Sequence, residues 1–234
     1  MAKKARTPPP PRRVQAPQKR REPSGIPQER QRLYWMGLIA FAASGLIALG
    51  IVVGFIFTRG RTSAPSVPKT INLASLAGIR HTKAPWDNGL GGLPDRLSPL
   101  GLSALPQEAL NLHIHQHLDI YINGKHFGLP ALVGIYDGQF ITELHTHDTS
   151  GIMHVEAPKK QTYRLGQFFG VWGLYLSPRC IGGYCGKLKV YVNGKPYSGD
   201  PTRLALKSHQ EIAIVYGKPP PAKIPSSYKF PAGY

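Results

Sequence analysis

Residues Leu112-His-Ile-His-Gln-His-Leu-Asp-Ile-Tyr-Ile122 alternate without a break. Successive side chains of a strand leave opposite faces, so this period of two demands a β-sheet with two unlike sides. Leu112, Ile114, Gln116, Leu118, Ile120 and Ile122 share one side, and His113, His115, His117, Asp119 and Tyr121 share the other. Asn123-Gly124 follows at once. That dipeptide favours the left-handed backbone of a two-residue hairpin turn, so a return strand is expected through Lys125–Leu129. Whatever fold the chain adopts must bury the aliphatic stripe and dispose of a row of imidazoles.

A second histidine array lies in Glu143-Leu-His-Thr-His-Asp-Thr-Ser-Gly-Ile-Met-His-Val-Glu156. Asp148-Thr-Ser-Gly151 carries turn chemistry, and the flanks alternate. A hairpin closed there pairs 147 with 152, 145 with 154 and 143 with 156. Directly paired residues share a face. His145, His147 and His154 then point one way with Glu143 and Glu156 behind them, while Leu144, Met153 and Val155 point into a core.

Imidazole is a common metal ligand near neutral pH, and residues two apart on a strand can converge on one ion. We therefore expect one transition-metal ion, copper or zinc, at His145, His147 and His154. His113, His115 and His117 either join the site, stand behind it, or simply form the solvent face of their strand. Asp119, Glu143 and Glu156 are candidates to orient imidazoles through their second nitrogens. Asp148 is better placed as a turn residue. Met153 falls on the opposite face and is no axial ligand. A cupin-type motif fails, because its glutamate would fall where this chain has Ser150 and Gly151. No Gly-rich phosphate loop, serine nucleophile elbow or paired-carboxylate signature is present.

The rest of the chain divides by composition. Residues 1–32 hold ten Lys/Arg and two Glu, with Pro8-Pro-Pro-Pro11, and lack the apolar content to fold. Leu33–Phe57 runs 25 residues without a charge, long enough to cross a ~30 Å hydrocarbon core as a helix. Tyr34 and Trp35 sit where an interfacial aromatic belt would be. Positive charge is heavier on the N-terminal side, which predicts a cytoplasmic N-terminus and an outer C-terminal domain. The run exceeds a typical signal-peptide core and no clear cleavage site follows, so an anchor in the bacterial cytoplasmic membrane is expected. Gly50-x-x-x-Gly54 offers a weak signal for helix pairing, with a membrane-protein partner or into a homodimer. The net charge of +17 is unevenly spread: the 32 residues before the span carry a dense basic block, on the cytoplasmic side, that is better matched to lipid than to nucleic acid.

Residues 58–108 are rich in Pro, Gly and Ser and read as a linker that could drape over the domain through Trp86 and its leucines. The His-rich domain is expected over 109–217, with a Pro-rich tail over 218–234. Leu165, Phe168, Phe169 and Trp172 have helical spacing and predict one short helix. Lys187–Val192 is a further alternating strand closed by Asn193-Gly194, and Ser208–Tyr216 is the last. The fold class is then strand-rich α+β, a single extracytoplasmic domain with one short helix, preceded by one transmembrane helix; an all-β sandwich is the alternative. Cys180 and Cys185 are the only cysteines, and on the outer side of a membrane they are expected to form a local disulfide.

The blocks HIHQHLDIYINGK, LHTHDTSGIMHVE, LGQFFGVWG and GDPTRLALKSHQEIAIVYG resemble a group of uncharacterised bacterial proteins with one N-terminal membrane span and a His-rich extracytoplasmic domain. The resemblance covers about residues 105–217, with LHTHDTSG its most specific part. It implies a bacterial envelope location and no particular activity. Three functional classes follow: an envelope module that holds, delivers or senses copper or zinc; a metalloenzyme with a three-His metal and an open position for water or substrate; and a structural scaffold whose histidines are incidental.

Overall fold

In a computed structural model, which describes residues 71–136 and 138–234, the alternating segment forms the long strand β1 (Leu112–Ile122). The tail 1–32 and the expected span Leu33–Phe57 lie outside the described residues. Asn123 and Gly124 both have positive φ, 51° and 81°, and close the hairpin to β2 (Lys125–Phe127). Two short strands, β3 (Ile135–Tyr136) and β4 (Phe140–Ile141), pair with each other apart from the main sheet. The second histidine array supplies β5 (Leu144–His145) and β6 (Ile152–Ala157).

Cys180 and Cys185 face each other across β7 (Cys180–Ile181) and β8 (Tyr184–Cys185) and are joined by the expected disulfide. The strands β9 (Leu188–Val192) and β10 (Lys195–Tyr197) form the second Asn-Gly hairpin, and β11 (Gln210–Tyr216) is the last strand. The main sheet runs β10-β9-β11-β1-β6-β5, with β2 against the far half of β1. All its pairs are antiparallel except β1 with β11, which are parallel.

One face of this sheet is apolar. Leu118, Ile120, Met153, Val155, Ile212 and Ile214 join Leu165, Phe168, Phe169 and Trp172 of the predicted helix in one core. That helix, Leu165–Trp172, contains Gly166 and Gly170, which weaken helices in isolation. Packing explains them. A Cβ on Gly166 would come within 2.6 Å of the Thr202 carbonyl oxygen, and one on Gly170 within 2.5 Å of Leu100.

The linker expectation over 58–108 fails from residue 71 onward. Leu73, Trp86, Leu93, Leu97, Leu100 and Leu102 are core residues. Leu93–Leu100 is a helix, which we name α1, making the predicted helix α2. Gly92, with left-handed backbone, precedes α1, and Pro94 sits in its first turn, where a missing N–H costs nothing. Among the described residues the fold therefore has two short α-helices where one was expected, and their presence in the core sets aside the all-β alternative.

Arg96 of α1 is fully buried and binds five carbonyl oxygens, those of Ala77, Gly89, Gly91, Gly170 and Val171. Burial pushes its guanidinium down to about 10, helped by the neighbouring Arg80, so it stays charged. It locks the N-terminal segment onto the last turn of α2. Gln167 makes a second tie, accepting from the Arg164 N–H and donating to the Leu100 carbonyl.

Candidate metal centre

The polar face of the sheet gathers the histidines. Register places His145 of β5 opposite His154 of β6, and His154 opposite His115 of β1, so three imidazoles form one row across three strands. The next row pairs His113 with Glu156. The predicted pairing of 145 with 154 is present, and the Glu156 N–H donates to the Glu143 carbonyl beyond it. The β5–β6 ladder stops there, and the predicted pairing of His147 with Ile152 does not form; on its other edge Ile152 pairs with His117. Asp148 serves the turn, accepting from the Ser150 N–H at 2.8 Å. His147 nevertheless turns its ring inward, 4.8 Å from that of His145 and 4.5 Å from that of His154.

Three groups of donors result, each with ligand atoms mutually within 4.8 Å: His145, His147, His154 and Glu156; His113, His115, His154 and Glu156; and His117, Asp119 and Glu211. Glu156 is central to the first two. Its Oε1 lies 3.0 Å from His154 Nδ1, 3.2 Å from His113 Nε2 and 3.9 Å from His145 Nε2. Burial raises this carboxyl, but the His154 hydrogen bond and the surrounding imidazoles outweigh it and hold it well below the usual carboxylate range.

His145 is the most telling residue. Its Nδ1 is 3.0 Å from the Thr142 carbonyl oxygen, which can only accept, so Nδ1 carries the proton. Nε2 is left with a free lone pair. That atom is buried without a hydrogen-bond partner, as is Glu156 Oε2. Burial pushes His145 down to about 3 and His115 to about 4, His115 also feeling its imidazole neighbours, so both stay neutral and ligand-competent near neutrality. Ligands at ~2.0–2.1 Å from a tetrahedral ion stand ~3.4 Å apart, so the first group has only to draw in by about an ångström. Orphaned buried acceptors, neutral imidazoles and one carboxylate fit a transition-metal ion.

The histidines of β1 divide. His117 is held apart from the first two groups, with Nδ1 2.9 Å from Glu211 Oε2 and Nε2 3.0 Å from the Ser150 carbonyl oxygen. Burial lowers its pKa, but the hydrogen bond and charge of Glu211, then Asp119, raise it on balance. Both ring nitrogens are thus engaged by protein groups. Asp119 does orient an imidazole, that of His126 at 2.6 Å, with His117 Nδ1 at 3.8 Å. Glu143 does not stand behind the histidines; both its oxygens accept from the Ser103 N–H, at 3.1 and 3.0 Å. Burial raises its pKa, and those hydrogen bonds offset part of the rise.

Two contributions escape sequence reasoning. Glu211 is the sole acid of an otherwise uncharged strand, a visible signal, but its partner depends on β11 lying beside β1. The Pro-rich tail covers the histidine face: Tyr228 stacks on His117 at 3.8 Å, and the Tyr234 ring lies 4.6 Å from His115 and 5.5 Å from His154. His147 and His113 remain partly open, their side chains 38% and 40% exposed. A cavity of about 530 Å³, lined by Leu110, Ile135, Phe140 and Ile141, opens beside His147, with Glu108 3.3 Å from its Nε2.

The chain matches no protein-family model, no curated protein and no solved structure.

Proposed function

We propose that this protein is a membrane-anchored extracytoplasmic metal-binding protein. One transition-metal ion, copper or zinc, is held by His145, His147 and His154, with Glu156 as the anionic partner. The observation that carries the reading is the His145 ring: one nitrogen tied to the Thr142 carbonyl, the other buried, unpartnered and among three further donors. Leaving such a nitrogen unsatisfied costs about 1–3 kcal/mol, which a bound ion removes. Anchoring rests on the uncharged run Leu33–Phe57 and on the ten positive charges before it. Among the described residues no helix is long and apolar enough to cross a membrane. The likeness of the histidine motifs to those of bacterial envelope proteins supports the outer placement.

A metalloenzyme is the second reading, favoured by the cavity beside His147. The ion would supply Lewis acidity or an activated water at that opening. His147 would face the incoming molecule, and Glu108 would be its nearest acid.

Metal titration of the purified full chain tests the first reading. It should bind copper or zinc far more tightly than the His145→Ala/His147→Ala/His154→Ala variant; equal affinities would leave the scaffold reading in its place. Azide or cyanide should perturb a copper or cobalt spectrum if a coordination position is open, and should leave a saturated storage site unchanged. Protease added to spheroplasts should digest the domain after Thr58; a protected domain would refute the topology.

A further inference from the structure

We propose that the histidine face binds two metal ions, bridged by Glu156. The proposal rests on the metal-binding reading above and extends it. Strand β6 lies between β1 and β5, so its outward residues His154 and Glu156 are flanked by imidazoles on both sides. His145 and His147 approach from one side, His113 and His115 from the other, and each pair forms a mutually close set with the same two β6 residues.

One ion cannot use all six groups, because zinc and copper sites of this kind take about four ligands. An ion on His145, His147, His154 and Glu156 leaves His113 and His115 idle. Those two are not disposed as idle residues. Their Nε2 atoms share a hydrogen bond at 3.1 Å, which a metal would replace at close to the ~3.4 Å that separates two ligands of one tetrahedral ion. The rings meet edge-on, centroids 4.7 Å apart.

Glu156 has the attributes of a bridge. Its Oε1 is placed between His113 Nε2 at 3.2 Å and His154 Nδ1 at 3.0 Å, while Oε2 is buried with no partner. A carboxylate that gives one oxygen to each of two cations suits a spacing of ~3.5–4 Å, the usual separation in two-metal sites. Two divalent ions against one carboxylate leave a net charge of about +3, so the pair calls for a further anion. Hydroxide drawn from water is the simplest, and it can enter where His113 and His147 are partly exposed. The second ion, on His113, His115 and Glu156, has fewer protein ligands and should bind more weakly than the first.

The test is metal stoichiometry of the full chain, loaded separately with Zn2+ and Cu2+. Two equivalents are expected, the second weaker by tenfold or more, and the two-copper form should show a spin-coupled electron paramagnetic resonance signal. His113→Gln/His115→Gln should reduce two equivalents to one and restore an uncoupled signal. Glu156→Gln should weaken both equivalents. One equivalent in the wild type, uncoupled and unmoved by His113→Gln/His115→Gln, would overturn the second ion and leave the single-ion reading standing. No bound metal at all would overturn both. The wild-type stoichiometry and coupling decide the matter even if a variant fails to fold.

Discussion

The polar face of β1 carries three histidines and an aspartate in a row, His113, His115, His117 and Asp119, yet its two ends are built in opposite ways. At one end, His113 and His115 meet His154 and Glu156, and acceptor atoms around them have no partner. At the other end, both nitrogens of His117 have partners, Glu211 and the Ser150 carbonyl, and Asp119 is bound to His126. The first end holds unpartnered acceptors, and the second is closed by its own hydrogen bonds. The neighbouring strand makes the difference. β6 offers one more histidine and a shared carboxylate, whereas β11 offers Glu211, which captures the ring it faces. A histidine's chemistry here is set by what lies across the ladder rather than by its own position in the repeat.

The largest separation between the two ends should come from His117→Ala. Glu211 is 1% exposed and would lose its counter-charge, so about 3 kcal/mol of stability should disappear in urea unfolding. Metal stoichiometry should not change. His145→Ala should behave in the reverse sense, with copper or zinc affinity falling beyond ~100-fold in competition titrations while the metal-free fold stays cooperative. If His117→Ala also abolished metal binding, the two ends would be one site and the contrast would be wrong.

The ends should also respond to pH in opposite directions in metal-free protein. His145 and His115 have folded pKa values lowered to about 3 and about 4, chiefly by burial. As pH falls below the ordinary histidine value of ~6.5, the unfolded chain takes up protons that these buried rings refuse, and stability is lost. His117 has a raised folded pKa through Glu211 and Asp119. Its contribution is complete below ~6.5 and is lost as pH rises through the folded value. Thermal melts from pH 5 to 9 should show a maximum that sharpens the contrast. His117→Gln should flatten the alkaline side alone, and His145→Gln the acid side alone.

The smallest effect concerns the tail. Tyr228→Ala removes the ring stacked on His117 and should cost about 1 kcal/mol, read in the same unfolding assay. Tyr234→Ala uncovers His115 and His154 instead, and should speed metal exchange in stopped-flow chelation with little change in stability.

Much of this was legible before any coordinates. The strict alternation of Leu112–Ile122, the two Asn-Gly turns, the pairing of His145 with His154, the helical spacing of Leu165, Phe168, Phe169 and Trp172, and the Cys180–Cys185 disulfide are all local. Strand parity, turn backbone and a short loop are written within a dozen residues. Gly and Pro were the ambiguous signals: Gly92 and Pro94 spelled a linker, though the same two residues are suited to begin a helix. Glu143 had the right parity for the histidine face, but a free backbone N–H at Ser103 drew its carboxylate elsewhere.

Sequence alone therefore determined the longer strands, the faces they present and the pairing of His145 with His154. Only the tertiary structure decided which histidines keep a free lone pair. That outcome depends on the parallel contact of β1 with β11, which joins His117 to Glu211 across 94 residues, and on Arg96 fastening the segment before β1 to carbonyls of α2. Local periodicity sets the side a residue faces, because backbone geometry repeats every two residues. It carries no information about which distant strand will come alongside, since that choice is made by the burial of the whole apolar face at once.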